Sequence, residues 1–323
     1  MLYRPLGKTG IQVSAIAFGA GPVAELMTDL GRFEDQCQTL QRAVELGINW
    51  IDTAATYGDG RSEESLGHVL QALDLRTKMC VATKVRIPPE AVGDIPGYIH
   101  KSVDASLSRL RLPKVTLLQL HNSITAERGA QPTSLTPEDV LGRGGVLTAF
   151  NELKSAGAVE HLGLTALGEP AALVEVLHSR QFQVVQTPYN LLNPSSGRDM
   201  PADFSETNLG NLLAVCRELG VGVFAIRVFA GGALAGQEPS KHTLTTKFFP
   251  LDLFRRDEGR AAALAKRLPA GMSLREVALR FAISHPDVAS AIIGFGSPAE
   301  VEEAALYADQ DPLNDAESSP LTP

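Results

Sequence analysis

Residues 50–67 read WIDTAATYGDGRSEESLG, an apolar strand that ends at Asp52, a loop of small residues around Tyr57 and the start of a helix. The helix, over 62–73, has an acidic first turn, as the positive end of the helix dipole favours. A short apolar strand, a loop and a helix together form one βα unit. Structural aspartates usually cap helices and structural tyrosines usually fill cores, and neither role is evident for Asp52 or Tyr57.

The same unit recurs along the chain. Short, nearly continuous apolar runs, typical of strands buried on both faces, alternate with stretches of helical periodicity. The predicted strands are 15–19, 49–52, 79–84, 116–121, 161–165, 182–189, 221–227 and 289–294. The predicted helices are 32–47, 62–73, 98–111, 138–157, 170–179, 208–220, 258–268, 273–284 and 298–308. Eight strands interleaved with helices predict an α/β fold, a single (β/α)8 TIM barrel.

Three further features bear on the organisation of the chain. The first sixteen residues, with a GKTG turn, predict a β-hairpin. A doubly wound sheet is the alternative to the barrel, but GAGPVAE at 19–25 is a poor match to the glycine-rich turn that such a fold carries after its first strand. The barrel is predicted to span 1–308, followed by an acidic, proline-rich and flexible tail at 309–323.

Composition limits the classes of function. The chain has 323 residues, a net charge of -8 and a pI of about 5.4, which argues against nucleic acid as a partner. The sequence contains no basic run for a membrane surface, no apolar signal core and no stretch of 18 apolar residues. Its three cysteines lie far apart, which favours a reducing compartment. We therefore expect a soluble, cytoplasmic protein, either a monomer or a homo-oligomer.

Four polar residues lie at or just after the ends of three consecutive predicted strands. Asp52 ends the second strand and Tyr57 follows it, Lys84 ends the third, and His121 ends the fourth. In a barrel the carboxyl ends of the strands meet at one rim, where chemistry is located. We therefore expect these four side chains to lie together.

The set has a chemical logic. A nearby ammonium favours the phenolate form of a tyrosine, and a carboxylate keeps a buried ammonium charged. An imidazole can orient a carbonyl or hydroxyl oxygen beside the phenol. The set therefore predicts that Tyr57 exchanges protons with a carbonyl or alcohol. Because none of the four is a nucleophile, the remaining chemistry must come from a cofactor, and a hydride donor fits.

These residues, with YRPLGKTGIQVSAIAFG, IDTAATYGDGRSEESLG, VATK, LLQLH and IIGFGSPAEVEEA, resemble the aldo-keto reductase superfamily over almost the whole chain. The resemblance implies a (β/α)8 barrel capped by an N-terminal hairpin. It implies a catalytic tetrad of Asp52, Tyr57, Lys84 and His121, with Tyr57 as general acid/base. It also implies an extended nicotinamide dinucleotide, no Rossmann domain and no metal.

At other positions the sequence matches the family pattern only in part. Gln186 is similar to the glutamine that holds the nicotinamide carboxamide. Thr165–Ala166 stands where the family usually has Ser-Asn, and Ile226 where it often has a stacking aromatic residue, while Arg227 is placed to reach the pyrophosphate. The implied cofactor-binding residues are Gly19, Asp52, Thr165, Gln186, Arg227, Phe229, Gly231, Leu234, Gly294, Gly296, Ser297, Glu300 and Glu303.

The segment GFGSPAEVEEA (294–304) bears on the choice of coenzyme. Exposed amides where a helix begins suit a phosphate or ribose oxygens. NADPH-preferring relatives generally carry a base in this segment, whereas this chain has none and has Glu300 where an arginine would align. A carboxylate repels a 2′-phosphate and can accept a hydrogen bond from a 2′-hydroxyl, so we expect NAD(H) to be preferred over NADP(H).

The seventh-strand segment AIRVFAGGAL (225–234) also resembles the sugar-dehydrogenase branch, so the expected substrate is an aldose or aldehyde, with Tyr189 and Phe229 as candidate pocket aromatics. Two alternatives remain open. One is a regulatory subunit that binds the nucleotide with little turnover. The other is a metal-dependent sugar isomerase, which would need carboxylates and histidines converging on a metal, whereas most of the seven histidines fall away from strand ends.

Overall fold

The computed structural model describes residues 1–268, 271–313 and 321. Ten strands occur among these residues: Tyr3–Pro5 (β1), Gln12–Ser14 (β2), Ile16–Gly19 (β3), Trp50–Asp52 (β4), Cys80–Val85 (β5), Val115–Leu120 (β6), Val159–Thr165 (β7), Val184–Pro188 (β8), Gly222–Ile226 (β9) and Ser290–Gly294 (β10). The last eight close into a parallel barrel in the order β10-β3-β4-β5-β6-β7-β8-β9. The predicted fold class is confirmed.

The helices surround this barrel. They are Phe33–Glu45 (α1), Arg61–Ala72 (α2), Ile95–Leu110 (α3), Pro137–Leu141 (α4), Val146–Ser155 (α5), Pro170–His178 (α6), Leu212–Leu219 (α7), Leu251–Ala265 (α8), Leu274–Ser284 (α9) and Pro298–Ala308 (α10). Short 3₁₀ helices lie in loops at Leu26–Thr28 (η1), Pro89–Asp94 (η2) and Ala230–Ala235 (η3).

Two predicted helices differ from those observed. The predicted helix 138–157 is divided into α4 and α5, because Gly144 turns the chain in the left-handed region (φ 75) and a Cβ at Gly145 would lie 2.4 Å from the Asp139 carbonyl oxygen. The helix predicted from 258 begins at Leu251, directly after Pro250. Its added turns include Phe254, which is fully buried and packs this stretch against the core.

The N-terminal hairpin, β1 paired with β2, determines which end of the barrel is available for a site. Leu6 and Val13 are fully buried in a cluster with Trp50 and Phe224, whose ring centroids lie 4.8 Å apart inside the barrel. The hairpin therefore closes the amino-terminal end of the barrel and leaves the carboxyl-terminal end for a site.

The predicted tail, 309–323, falls largely on residues 314–320 and 322–323, which lie outside the described residues. In the part that is described, the Leu313 amide donates to Ser284 Oγ (2.8 Å) and Arg280 donates to the Asp311 carbonyl oxygen (2.9 Å). Leu313 and Leu321 are buried.

Candidate active site

The loop that carries Tyr57 is fixed by hydrogen bonds to neighbouring strands. The Thr53 amide donates to the Ala82 carbonyl oxygen (2.9 Å) and the Ala55 amide to that of Lys84 (3.2 Å). At the start of α2, Ser62 Oγ contacts Thr53 Oγ1 (2.7 Å). The small residues of this segment allow the loop to pack closely on β5, and the loop brings Tyr57 back over the end of its own strand.

Asp52, Lys84 and Tyr57 form one hydrogen-bonded group, in which Asp52 and Lys84 are buried and Tyr57 is half-buried. The Lys84 ammonium donates to Asp52 Oδ1 (2.5 Å), to the Thr53 carbonyl oxygen (2.8 Å) and to the Tyr57 hydroxyl (3.1 Å). Its three N–H groups are thereby all used. The side chains of Lys84 and Asp52 are 1% and 4% exposed, so the pair lies away from solvent.

The charge state of Lys84 follows from these contacts. Burial alone disfavours an ammonium and would lower its pKa. The charges of Asp52 and Tyr57 and their hydrogen bonds act in the opposite direction and prevail, so the pKa of Lys84 is raised above its ordinary value. Lys84 is therefore an ammonium throughout the neutral range.

His121 follows β6 directly and lies beside Tyr57. The two ring centroids are 5.7 Å apart in an edge-on arrangement, and His121 Nδ1 contacts Thr56 Oγ1 at 3.4 Å. Burial holds the pKa of His121 well below its usual 6.5, and the charges of Arg86 and Lys84 lower it further. The imidazole is therefore neutral at pH 7. Its Nε2 has no hydrogen-bond partner among the described residues.

Two glutamines hold the second oxygen of Asp52. Gln119 Nε2 donates to Asp52 Oδ2 at 3.3 Å, and Gln186 Nε2 makes a shorter hydrogen bond to the same oxygen. Both glutamines are buried, at 0% and 2% exposure. Sequence reasoning missed Gln119, although its position two residues before His121 puts it on the same face of one strand.

The end of β7 contributes an unsatisfied donor. Thr165 is the register partner of Gln186, and its buried Oγ1 has no hydrogen-bond partner within the described part of the chain. A buried hydroxyl without a partner is unusual and needs an explanation. Because it lies next to Gln186, it offers a second polar group to any ligand that reaches the bottom of this site.

The segment after β9 approaches the site from the other side. Gly231 and Gly232 are in left-handed conformations (φ 71 and 109), and a Cβ at Gly231 would lie 2.8 Å from the Phe249 ring. The Arg227 guanidinium also lies over Phe249, 4.9 Å from the ring centroid. Arg227 is thereby oriented by Phe249 beside the glycine loop.

A charged cluster forms where α10 begins. The Gly296 amide donates to Glu300 Oε2 (2.7 Å), and Ser297 Oγ accepts from the Glu300 amide (3.4 Å). Arg275, on α9, pairs with Glu300 (3.4 Å) and Glu303 (3.1 Å). The 294–304 segment itself has no base, yet another helix supplies one. No signal in the sequence links Arg275 to Glu300, because they are neighbours only through the packing of α9 on α10.

Several candidate residues have packing roles in the structure. A Cβ at Gly19 would lie 2.9 Å from the Ile293 carbonyl oxygen, and one at Gly294 would lie 3.1 Å from Ala24 Cβ, so both glycines permit close packing at the rim. Leu234 is fully buried in η3.

The two candidate pocket aromatics differ in their surroundings. Phe229 packs beneath Arg275, whose guanidinium lies 5.6 Å from its ring centroid. The expectation that Tyr189 lines a pocket is wrong, because its ring stacks on Phe281 (5.0 Å) in the core and burial raises the pKa of its hydroxyl.

This arrangement defines a class of protein, a parallel barrel with a buried acid–ammonium pair, a half-buried phenol bonded to it and a neutral imidazole at its carboxyl-terminal rim. Within residues 1–268, 271–313 and 321, no cluster of His, Cys, Asp or Glu side chains is arranged to hold a metal ion. No helix in the same ranges combines the length and the apolar character that crossing a bilayer requires.

Comparison with known proteins identifies the family. The profile of the Aldo/keto reductase family matches residues 16–322. The chain is 27% identical to L-galactose dehydrogenase of Arabidopsis thaliana over 330 residues, which covers 98% of this chain and 93% of that protein. It is 39% identical to 6-dehydroglucose reductase of Novosphingobium aromaticivorans over 128 residues, 37% of this chain and 41% of that protein.

A solved structure supports the fold. An aldo-keto reductase of Bacillus halodurans, in its holo form, matches with a TM-score of 0.75 and 24% identity, covering 100% of this chain and 97% of that one. The chain therefore belongs to the aldo/keto reductase family, a family of oxidoreductases that use nicotinamide cofactors.

Proposed function

We propose that this protein transfers hydride between a nicotinamide cofactor and a carbonyl or alcohol of a small molecule, an aldose or aldehyde, with Tyr57 as general acid/base. The observation that carries the proposal is the three-way contact of the Lys84 ammonium with Asp52, Thr53 and Tyr57. A phenol hydrogen-bonded to a buried ammonium is placed to exchange a proton with a substrate oxygen, because the ammonium stabilises the phenolate.

Each member of the tetrad has a separate task. In the reductive direction Tyr57 donates its proton to the developing alkoxide, and the Lys84 ammonium, 3.1 Å away, stabilises the phenolate that remains. Asp52 keeps Lys84 charged. His121, neutral and with Nε2 unpaired among the described residues, can orient the substrate oxygen beside Tyr57. In the oxidative direction Tyr57 takes the proton from the alcohol.

The residues of the site fit a nicotinamide cofactor, which when bound supplies or accepts the hydride. The unpartnered Thr165 hydroxyl and the neighbouring Gln186 suit a carboxamide, which both donates and accepts hydrogen bonds. The glycine pair 231–232, in left-handed conformations, and the Arg227 guanidinium beside it suit a pyrophosphate. We assign these residues to cofactor binding.

Coenzyme preference is assigned from the charges around α10. Two guanidinium groups, Arg32 and Arg275, face three carboxylates, Glu300, Glu303 and Asp35. The three carboxylates outnumber the two guanidinium groups, and Arg275 is already paired with two of these carboxylates. The cluster therefore keeps a net negative charge, which disfavours a 2′-phosphate. We therefore propose NAD(H) over NADP(H).

The substrate class is drawn from two relatives, since L-galactose dehydrogenase and 6-dehydroglucose reductase are named for sugars. The surroundings of Tyr57 agree with a hydrophilic substrate, because the His121 ring lies beside it and Arg86 donates to the His121 carbonyl oxygen. An aldose is therefore the proposed substrate.

The test is a titration of wild-type protein and Tyr57→Phe with NADH and with NADPH, followed by turnover on a panel of aldoses with the bound coenzyme. Tyr57→Phe removes only the hydroxyl, so coenzyme affinity should stay within about threefold while kcat falls by about 10²- to 10⁴-fold. Equal kcat in both proteins would refute the role of Tyr57. Tight coenzyme binding with no turnover in the wild type would instead favour a regulatory nucleotide-binding subunit.

A further inference from the structure

Arg86 lies beside the tetrad and has no part in the proton transfer described above. It follows β5 directly, and its Nε donates to the His121 carbonyl oxygen at 3.4 Å. Its guanidinium lies over the Phe248 ring, 4.3 Å from the centroid. Arg86 is thereby held on two sides, close to the residues that would contact a substrate.

No carboxylate among the described residues lies within ion-pair distance of Arg86. The side chain is partly buried, and that burial lowers its pKa, although a guanidinium remains charged at any physiological pH. Taking a charge out of water without an opposite charge is unfavourable, so buried cations are normally paired. A half-buried guanidinium without a carboxylate partner is therefore available to an anionic ligand.

The surroundings of Arg86 are electropositive, although the protein carries a net charge of -8. Lys84 and Arg227 lie in the same site, and because Asp52 balances the charge of Lys84, the unbalanced cations are Arg86 and Arg227. Arg227 likewise has no carboxylate within ion-pair distance among the described residues, but the pyrophosphate of the proposed cofactor provides it with an anion. Nothing in the cofactor assignment provides one for Arg86.

We propose that Arg86 recognises an oxyanionic group, a carboxylate or a phosphate, on the substrate, so that the enzyme acts on acidic sugars or other aldehydes and alcohols that carry such a group. The inference rests on the proposed function and names its substrate class. Hydride and the Tyr57 proton still add to the carbonyl, giving the alcohol. The anionic group is neither oxidised nor reduced, and Arg86 makes no covalent bond.

The geometry favours a planar oxyanion. With Nε engaged by the His121 carbonyl oxygen and the ring of Phe248 against one face, Nη1 and Nη2 are left without partners among the described residues. These two nitrogens form one edge of the guanidinium, which can donate two parallel hydrogen bonds to a carboxylate or phosphate. A lysine at this position would keep the charge and lose the paired donors.

The experiment compares matched neutral and anionic substrates. Wild-type protein, Arg86→Gln, Arg86→Lys and the control Arg111→Gln are assayed with D-glucose against D-glucuronate, and with D-glyceraldehyde against its 3-phosphate. The two pairs distinguish a carboxylate from a phosphate as the preferred group. Arg111 is a suitable control because it is an exposed arginine bonded to Gln71 and lies outside the barrel.

The wild type should prefer the anionic member of at least one pair. Arg86→Gln should lower kcat/KM for that member by about 10- to 100-fold, chiefly through KM, as expected for a lost hydrogen bond to a charged group. The kcat/KM of Arg86→Lys for that substrate should lie between the values of the wild type and Arg86→Gln. The value for Arg111→Gln should match the wild type. The affinity for NADH should not change in any of the variants.

Several results would overturn the inference. One is an equal or greater preference for the neutral substrates in the wild type. Another is an equal loss on both members of a pair in Arg86→Gln, which would place Arg86 in the proton-transfer machinery. A marked loss of NADH affinity in Arg86→Gln would make it a cofactor ligand.

Calorimetric binding of D-glucuronate and D-glucose to the NADH complex separates this inference from the proposed function. If no probe is turned over but glucuronate binds in an Arg86-dependent way, the role of Arg86 stands and the proposed function fails. If glucuronate and glucose bind equally and Arg86→Gln changes neither, while turnover persists, the proposed function stands and the inference fails.

Discussion

Replacing Asp52 by asparagine (D52N) is expected to lower the free energy of unfolding by about 3–5 kcal/mol, the range for breaking a buried ion pair by removing one partner. The side chains of Lys84 and Asp52 are 1% and 4% exposed, so solvent cannot take over the lost contact. The variant leaves the Lys84 charge uncompensated, and this drives the predicted loss.

The second oxygen of Asp52 adds to this loss. In the wild type it accepts from both Gln119 and Gln186. Asparagine has one acceptor oxygen, so its amide group must face either Lys84 or the two glutamine donors. A buried donor left without an acceptor costs about 1–3 kcal/mol, which places D52N toward the upper part of the expected range.

Asp74→Asn (D74N) is the matched control. Asp74 pairs with Lys78 at 3.2 Å, but these side chains are 85% and 58% exposed. Loss of an exposed pair is worth about 0–1 kcal/mol. The two variants make the same chemical change in one ion pair inside the barrel and one on its surface.

The assay is urea unfolding followed by the fluorescence of Trp50, the single tryptophan, which is buried against Phe224. If D52N and D74N lose the same stability to within about 1 kcal/mol, the account of the Asp52–Lys84 pair is refuted. The double variant D52N/K84M removes both charges and should lose less than the sum of the single variants. Strict additivity would show that the two side chains do not interact.

Two further predictions concern pH and coenzyme choice. Because burial holds the pKa of His121 well below 6.5, the unfolded chain binds a proton there that the folded protein does not, so stability falls as pH drops below about 6.5. His121→Gln should reduce that slope by up to about 1.4 kcal/mol per pH unit in urea titrations at pH 5–7, and an unchanged slope would contradict the assignment of a neutral His121. Glu300→Gln should reduce the preference for NADH over NADPH by about tenfold in fluorescence titrations, since one carboxylate charge near the proposed 2′ position is lost. Glu302→Gln, the same change on the outer face of α10 where Glu302 pairs with Arg42, is the control, and equal effects of the two variants would rule out a specific role for Glu300.

Local patterns determined much of the fold. Apolar runs and helical periodicity predict the order of strands and helices, because both reflect which faces of an element are buried. The split between α4 and α5 was missed, since glycines inside an apparently helical stretch do not reveal whether the chain turns there. That outcome depends on the close approach of Gly145 to the Asp139 carbonyl oxygen.

The candidate site was predictable wherever a residue ends a barrel strand. Asp52, Lys84 and His121 were found in this way because parallel strands bring their carboxyl ends to one rim, and Tyr57 because it closely follows Asp52. That rule predicts where along the barrel axis a residue lies, but it does not predict which side chains lie beside it. It therefore could not predict that a residue as distant in sequence as Gln186 shares Asp52 with Lys84.

The contacts that tune the site were decided by tertiary structure alone. Arg275 meets Glu300 because two helices pack side by side, and Arg86 lies over Phe248 because a loop after the seventh barrel strand returns across the third. These partners are far apart along the chain, so no local window of sequence contains both. By itself the sequence determined which groups stand at the rim, while the closure of the barrel decided which charges are paired and which, like Arg86, have no carboxylate partner among the described residues.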